Sequence, residues 1–156
     1  MKTIAANAGC RASPTETVLV VDDDADLRSL EVRALSKVGY TVLEAQGPVE
    51  ALRLAAATPA IDLLLTDFEM PETNGLELAR RFQAVHPKAP VLVVSGSLQD
   101  VEGRREGLDE WAFLAKPFSW DELVDKVYTL LASKKRAGSR AAYPESANEQ
   151  SMHLTR

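Results

Sequence analysis

The chain has 156 residues, 46% of them hydrophobic, with a formal net charge of −5, which suits one domain of ordinary size with a core of its own. No apolar run approaches the ~18 residues that a membrane-crossing helix needs, and the single cysteine, Cys10, excludes an intrachain disulfide and a cysteine-built zinc site. The charge is uneven: residues 1–17 carry +1 and residues 133–156 carry +3, leaving −9 between them, so the middle lacks the basic face that nucleic-acid binding requires.

Residues 1–17 hold few, small apolar side chains and lack the apolar segment of a signal peptide. They are expected to form a flexible leader on a cytoplasmic protein, with Cys10 an inert thiol. The first apolar run, VLVV (18–21), passes directly into Asp22, Asp23 and Asp24. The next segment, DADLRSLEVRALSKVG, has helical spacing, with Leu27, Leu30, Ala34 and Val38 on one stripe and Gly39 suited to its C-terminal cap. Asp24 and Asp26 lie where that helix begins, where acidic residues cap amides and suit the helix dipole.

A second run, TVLEA (41–45), precedes PVEALRLAAA, a helix led by Pro48 and rich in good helix formers. The third run, IDLLLTD (61–67), ends in Asp67. Met70-Pro71 and Asn74-Gly75 read as turn formers in the loop that follows. GLELARRFQAVHP then sets Leu76, Ala79, Phe82 and Val85 on one helical face, and Pro87 forbids continuation. His86, at that helix end, is given no chemistry.

The fourth run, PVLVVS (90–95), closes on Ser95. Residues 97–110 have few apolar anchors and contain Gly103 and Gly107, so only a short helix is expected there. The fifth run, AFLA (112–115), meets Lys116 and Pro117. The last helix, SWDELVDKVYTLLA, opens with a capping box of Ser119 and Glu122 and carries Trp120, Val124, Val127 and Leu131 as its apolar stripe. Residues 133–156 are polar and aperiodic and are expected to be a disordered tail.

Strands alternating with helices imply right-handed crossovers and a parallel sheet covered on both faces. Ligands gather at the carboxyl ends of such strands. There the sequence sets Asp22 and Asp23, then Asp67, Ser95 and Lys116. Three converging carboxylates repel and raise one another's pKa values unless a cation intervenes. Lys116 can pair with one of them, and an all-oxygen set favours Mg²⁺ or Mn²⁺ for the rest. A carboxylate, a hydroxyl and a lysine about a metal suit phosphoryl transfer, with Asp67 the best acceptor for an aspartyl phosphate.

On the motifs VVDDD, LLLTDFEMPETNG, VVSGS and FLAKPF, in that order, the segment 18–132 resembles the receiver domain of two-component response regulators. The resemblance implies a doubly wound, flavodoxin-like α/β fold with five parallel strands in the order 2-1-3-4-5 and about five helices. It implies that Asp67 accepts phosphoryl from a sensor histidine kinase or a histidine phosphotransfer protein. It further implies that Asp22, Asp23, Asp67 and the backbone carbonyl of Glu69 hold Mg²⁺, and that Ser95 and Lys116 bind the phosphoryl group. By the same resemblance Phe113 turns inward as a switch when Ser95 engages phosphate, and Pro117 follows a cis bond. Such a protein assists its own phosphorylation and dephosphorylation without being an enzyme in the usual sense.

Two positions depart from the family pattern. Glu69 sets a carboxylate beside the acceptor, and Glu110 and Trp111 intervene before Phe113, where the family usually has a small Gly-Ala-type pair closer to the aromatic. Phe113 also reads as plain core. With about 24 residues after the last helix there is little room for an effector domain, so a stand-alone receiver acting through an unknown protein partner is expected, with no nucleic acid or membrane as partner. A metal-dependent phosphatase of the haloacid-dehalogenase type uses similar groups, but there the nucleophile leads the chain, whereas here Asp22 and Asp23 do. A receiver-shaped scaffold independent of phosphate is the third reading.

Overall fold

The computed structural model describes residues 15–97, 99 and 111–141. Five parallel strands form one sheet: β1 (Thr17–Val21), β2 (Thr41–Ala45), β3 (Leu63–Asp67), β4 (Val91–Ser95) and β5 (Ala112–Ala115), in the spatial order β2-β1-β3-β4-β5. Four helices are described: α1 (Ala25–Lys37), α2 (Pro48–Ala57), α3 (Gly75–Val85) and α4 (Trp120–Ala141). The short helix expected over 97–110 lies, apart from two positions, outside the described residues.

The unpatterned apolar runs are strands buried on both faces. Leu19, Val21, Leu64, Val91 and Val93 face a core completed by Leu76, Leu78, Ala79 and Phe82 of α3 and by Ala51 and Ala55 of α2. Val18, Val20, Leu63, Leu65, Leu92 and Val94 face the other core, closed by Leu35 of α1 and Leu123, Val124, Val127 and Leu131 of α4. Alternate residues of one strand thus feed two separate cores, which fixes the register, because a slip of one residue would exchange them.

The helix ends follow the local chemistry. Asp24 caps α1, its carboxylate accepting from the amides of Asp26 and Leu27 at 3.0 and 3.1 Å. Gly39 closes that helix at φ 109°, a left-handed conformation that side chains disfavour. The capping box of α4 is reciprocal, with Ser119 N donating to Glu122 Oε2 at 2.8 Å and Glu122 N to Ser119 Oγ at 3.1 Å. Asn74-Gly75 is a helix start as well as a turn, since Asn74 Oδ1 accepts from Glu77 N at 2.9 Å.

Three expectations need correction. The inward stripe of α1 runs through Leu27, Glu31 and Leu35, while Leu30 is exposed; apolar residues alone pointed to a stripe turned by one position. Val85 and Trp120 are likewise exposed edges of their helices. The tail is not disordered from residue 133, because α4 continues to Ala141. Lys134 Nζ meets Asp62 Oδ1 at 3.1 Å and Lys135 pairs with Glu16, a buried residue just before β1. Charged anchors extend this helix where apolar burial would not, and they also bring Glu16 and Thr17 of the expected leader into the fold.

Candidate functional site

The carboxyl ends of β1, β3, β4 and β5 are held level by backbone hydrogen bonds beyond the strands themselves. Phe68 N donates to Val94 O and Lys116 N to Ser95 O, both at 2.8 Å. Asp67 pairs with Val94, and Ser95 with Ala115. Asp67, Ser95 and Lys116 are therefore set at one rim by the register of three strands.

Asp22, Asp23 and Asp67 each offer a carboxylate oxygen within 4.8 Å of the others, Asp23 exposed and the other two buried. Lys116 Nζ donates to Asp67 Oδ1 at 3.1 Å, across a cis Lys116–Pro117 junction that opens the loop to α4. Ser95 is fully buried, and its hydroxyl is engaged with Ser97, donating to Ser97 O at 3.0 Å and accepting from Ser97 N at 3.1 Å. Asp22 Oδ1 accepts from Asp24 N at 2.9 Å, while Arg28 donates to the Asp22 carbonyl at 2.8 Å. The backbone thus fixes Asp22 more firmly than its exposed neighbour Asp23.

The loop after Asp67 is pressed against the acceptor. Gly75 N donates to Phe68 O at 2.9 Å, and a Cβ at Gly75 would lie 2.3 Å from the Asp67 carbonyl oxygen. Only glycine fits there. Glu69, in that loop, is exposed.

Burial pushes the Asp22 carboxyl up to about 6, against the pull of the Asp24 amide and with a further push from Asp67. For Lys116 burial acts downward, but its hydrogen bond to Asp67 and the charges of Asp67, Asp22 and Glu31 outweigh it, so the ammonium is held more firmly than usual. One ammonium against three convergent carboxylates leaves excess negative charge. An all-oxygen, partly exposed set of this kind fits a hard divalent cation.

Phe113 is half-buried and packs on the α2–α3 side of the sheet beside Trp111, whose indole N–H donates to Gln83 Oε1 at 2.8 Å. Both stand on the face opposite α1 and α4. Lys116, Pro117, Phe118, Trp120 and Leu27 line a shallow hollow of about 370 Å³ beside the acidic trio.

One charged group escaped the sequence reading. Glu31, one helical turn from Leu27, is 2% exposed on the inward stripe of α1. Burial, above all, pushes its carboxyl up to about 8, with Asp22, Asp67 and Asp24 adding to the push and Lys116 opposing it. The i, i+4 spacing from Leu27 to Glu31 to Leu35 was the available signal.

A family model described as the response regulator receiver domain matches residues 18–128. The chain belongs to that family. This receiver domain is 38% identical over 121 residues to the sensor kinase CckA of Brucella abortus (strain 2308), covering 76% of the chain but 13% of the kinase. It is 39% identical over 127 residues to the response regulator MprA of Mycobacterium ulcerans (strain Agy99), covering 80% of the chain and 54% of MprA. The chain thus spans about half, or less, of these curated relatives. Among solved structures, the response regulator protein TrrA of Thermotoga maritima, in complex with Mg²⁺-BeF, superposes with a TM-score of 0.66 at 29% identity, covering 74% of the chain and 98% of TrrA. The flavodoxin-like order expected of the sheet is the order found, and among the described residues no helix is long and apolar enough to cross a membrane.

Proposed function

We propose that this receiver domain accepts a phosphoryl group on Asp67 from the phosphohistidine of a sensor kinase or a histidine phosphotransfer protein. The observation that carries the reading is the placement of Asp67, buried at a strand end, with Lys116 Nζ at 3.1 Å and the Asp22 and Asp23 carboxylates within 4.8 Å. An Asp67 oxygen attacks phosphorus, the phosphorus–nitrogen bond of the donor breaks, and its electron pair returns to the imidazole. Lys116 stays protonated and turns to the transferred oxygens, where charge builds. Mg²⁺, held by Asp22, Asp23, Asp67 and the Glu69 carbonyl, offsets that charge when bound.

Ser95 then exchanges its bond to Ser97 for one to a phosphoryl oxygen, and Phe113 on the adjacent strand repacks inward beside Trp111. The output is a changed protein-binding surface. On this reading the domain assists only its own phosphorylation and dephosphorylation, its partners are proteins, and its place of work is the cytoplasm.

Incubation with acetyl phosphate and Mg²⁺ followed by intact-mass measurement tests the reading. Wild type gains one phosphoryl group, while Asp67→Asn gains none and chelation prevents the gain. Labelling of Asp67→Asn to the same extent as wild type overturns it.

A further inference from the structure

Arg28 sets a positive charge beside a rim that has to gather a divalent cation, and by charge alone that is a poor place for it. Its backbone amide donates to Asp24 O at 2.9 Å in the first turn of α1. Helical side chains lean towards the N-terminus, so the guanidinium reaches back to the end of β1. There Nη1 donates to the carbonyl oxygen of Asp22 at 2.8 Å, and Nε meets Glu44 Oε2 of β2 at 3.4 Å. The Arg28 side chain is 17% exposed against 57% for Glu44, so the ion pair is a weak surface contact. The bond to the carbonyl is the shorter and more shielded of the two.

Asp22 is 1% exposed and lies one residue beyond β1. Its amide donates to Ala45 O at 3.3 Å, its carboxylate accepts from Asp24 N at 2.9 Å, and Arg28 takes its carbonyl. The peptide that joins Asp22 to Asp23 is planar, so a held carbonyl fixes that plane and leaves Asp23 only its own dihedrals. Asp23 is the exposed member of the acidic trio, so its carboxylate is aimed by the peptide before it rather than by packing. We infer that Arg28 is a positioning residue for the cation site, acting through the Asp22–Asp23 peptide to hold both carboxylates towards Asp67. Glu44 offsets the charge and keeps the guanidinium from turning to the carboxylates. The inference rests on the reading of Asp22, Asp23 and Asp67 as ligands of Mg²⁺.

The test is calorimetric titration of the full chain with Mg²⁺ in wild type, Arg28→Met, Arg28→Lys and Glu44→Gln, alongside urea denaturation in chelator. Position and charge predict opposite signs. Acting by its field, the guanidinium repels the ion, and Arg28→Met would tighten Mg²⁺; acting by position, it supports the site, and affinity falls. The expected result is a weakening of about tenfold, the lower end of what loss of a residue behind a metal ligand costs. Arg28→Lys keeps the charge but cannot hold a carbonyl and a carboxylate at once, and it falls between wild type and Arg28→Met. Glu44→Gln leaves the carbonyl bond in place and stays within about twofold of wild type, as loss of an exposed ion pair does.

Tighter binding in Arg28→Met overturns the inference, as does an equal loss in Glu44→Gln. A merely structural role lowers the denaturation midpoint and leaves Mg²⁺ affinity unchanged, which overturns it too. Denaturation shows whether each variant is folded; where Arg28→Met is not, a greater loss in Arg28→Lys than in Glu44→Gln upholds the inference and an equal one overturns it. If wild type takes up no Mg²⁺, the metal reading itself fails, an outcome distinct from a site that binds Mg²⁺ and ignores Arg28.

Discussion

The ammonium of Lys116 sits 3.1 Å from an Asp67 oxygen across a sequence separation of 49 residues, and it is the cation that the described site sets against three carboxylates. It therefore occupies charge that a divalent ion would otherwise claim. Removing it should pull metal binding and phosphoryl binding in opposite directions. Lys116→Ala is expected to tighten Mg²⁺ by about tenfold, because a repelling charge near the ion is lost, while weakening beryllium trifluoride. Calorimetric titration of both ligands checks this; parallel weakening would mean that the lysine only supports the fold.

Gly75 is required by packing, since its position leaves 2.3 Å between an added Cβ and the Asp67 carbonyl oxygen, backbone that cannot swing aside. Gly75→Ala should push the loop from the end of β3 and cost about 1–3 kcal/mol, the range for overpacking. The same displacement moves Asp67 relative to Lys116, so the rate of phosphorylation by acetyl phosphate should fall more than the stability loss explains. Urea denaturation alongside labelling kinetics separates the two effects.

Much of this was legible in the sequence because the strands are buried on both faces. Continuous runs such as LLLTD and VLVVS carry no competing helical signal, and each delivers its last residue to the rim. Asp22, Asp23, Asp67 and Lys116 could be grouped on that ground alone. Glu31 could not, because a stripe sought among apolar residues passes over a buried acid and settles on Leu30, which is exposed. The continuation of α4 was hidden for a related reason. Lys134 and Lys135 look like solvated tail charges until Asp62 and Glu16 are placed beside them.

Trp111 marks the second departure from the family pattern, and the structure gives it a definite task. Its indole donates to Gln83, whose amide donates in turn to the carbonyl of Ala89 at 3.3 Å, tying the entry of β5 to α3 and the turn before β4. Trp111→Phe keeps a ring in the core but leaves the Gln83 oxygen without that donor. A loss of about 1–2 kcal/mol is expected, the cost of one broken hydrogen bond with a partly buried partner. Phosphorylation rate should be unchanged, since no atom of this chain of bonds lies at the acidic rim. A slowed rate with stability preserved would instead tie Trp111 to the switch at Phe113.

The two raised carboxyls give the metal-free protein a distinctive response to pH. Asp22 goes from 3.8 to about 6 and Glu31 from 4.5 to about 8, burial being the main cause in each. A carboxyl whose pKa is higher in the folded state binds more protons folded than unfolded, so folding stability falls as pH rises through the interval between its two values. Without Mg²⁺, stability is expected to decline from about pH 4 to about pH 8, with Glu31 responsible for the part above about pH 6. Glu31→Leu should flatten that upper part and gain about 2 kcal/mol at the alkaline end, as when a poorly compensated buried charge is replaced by an apolar side chain. Mg²⁺ should restore stability mainly through Asp22, since a bound cation favours its ionised form. Denaturation in chelator at several pH values, for wild type and Glu31→Leu, reads both slopes, and coincident slopes would show that Glu31 is not the group that titrates there.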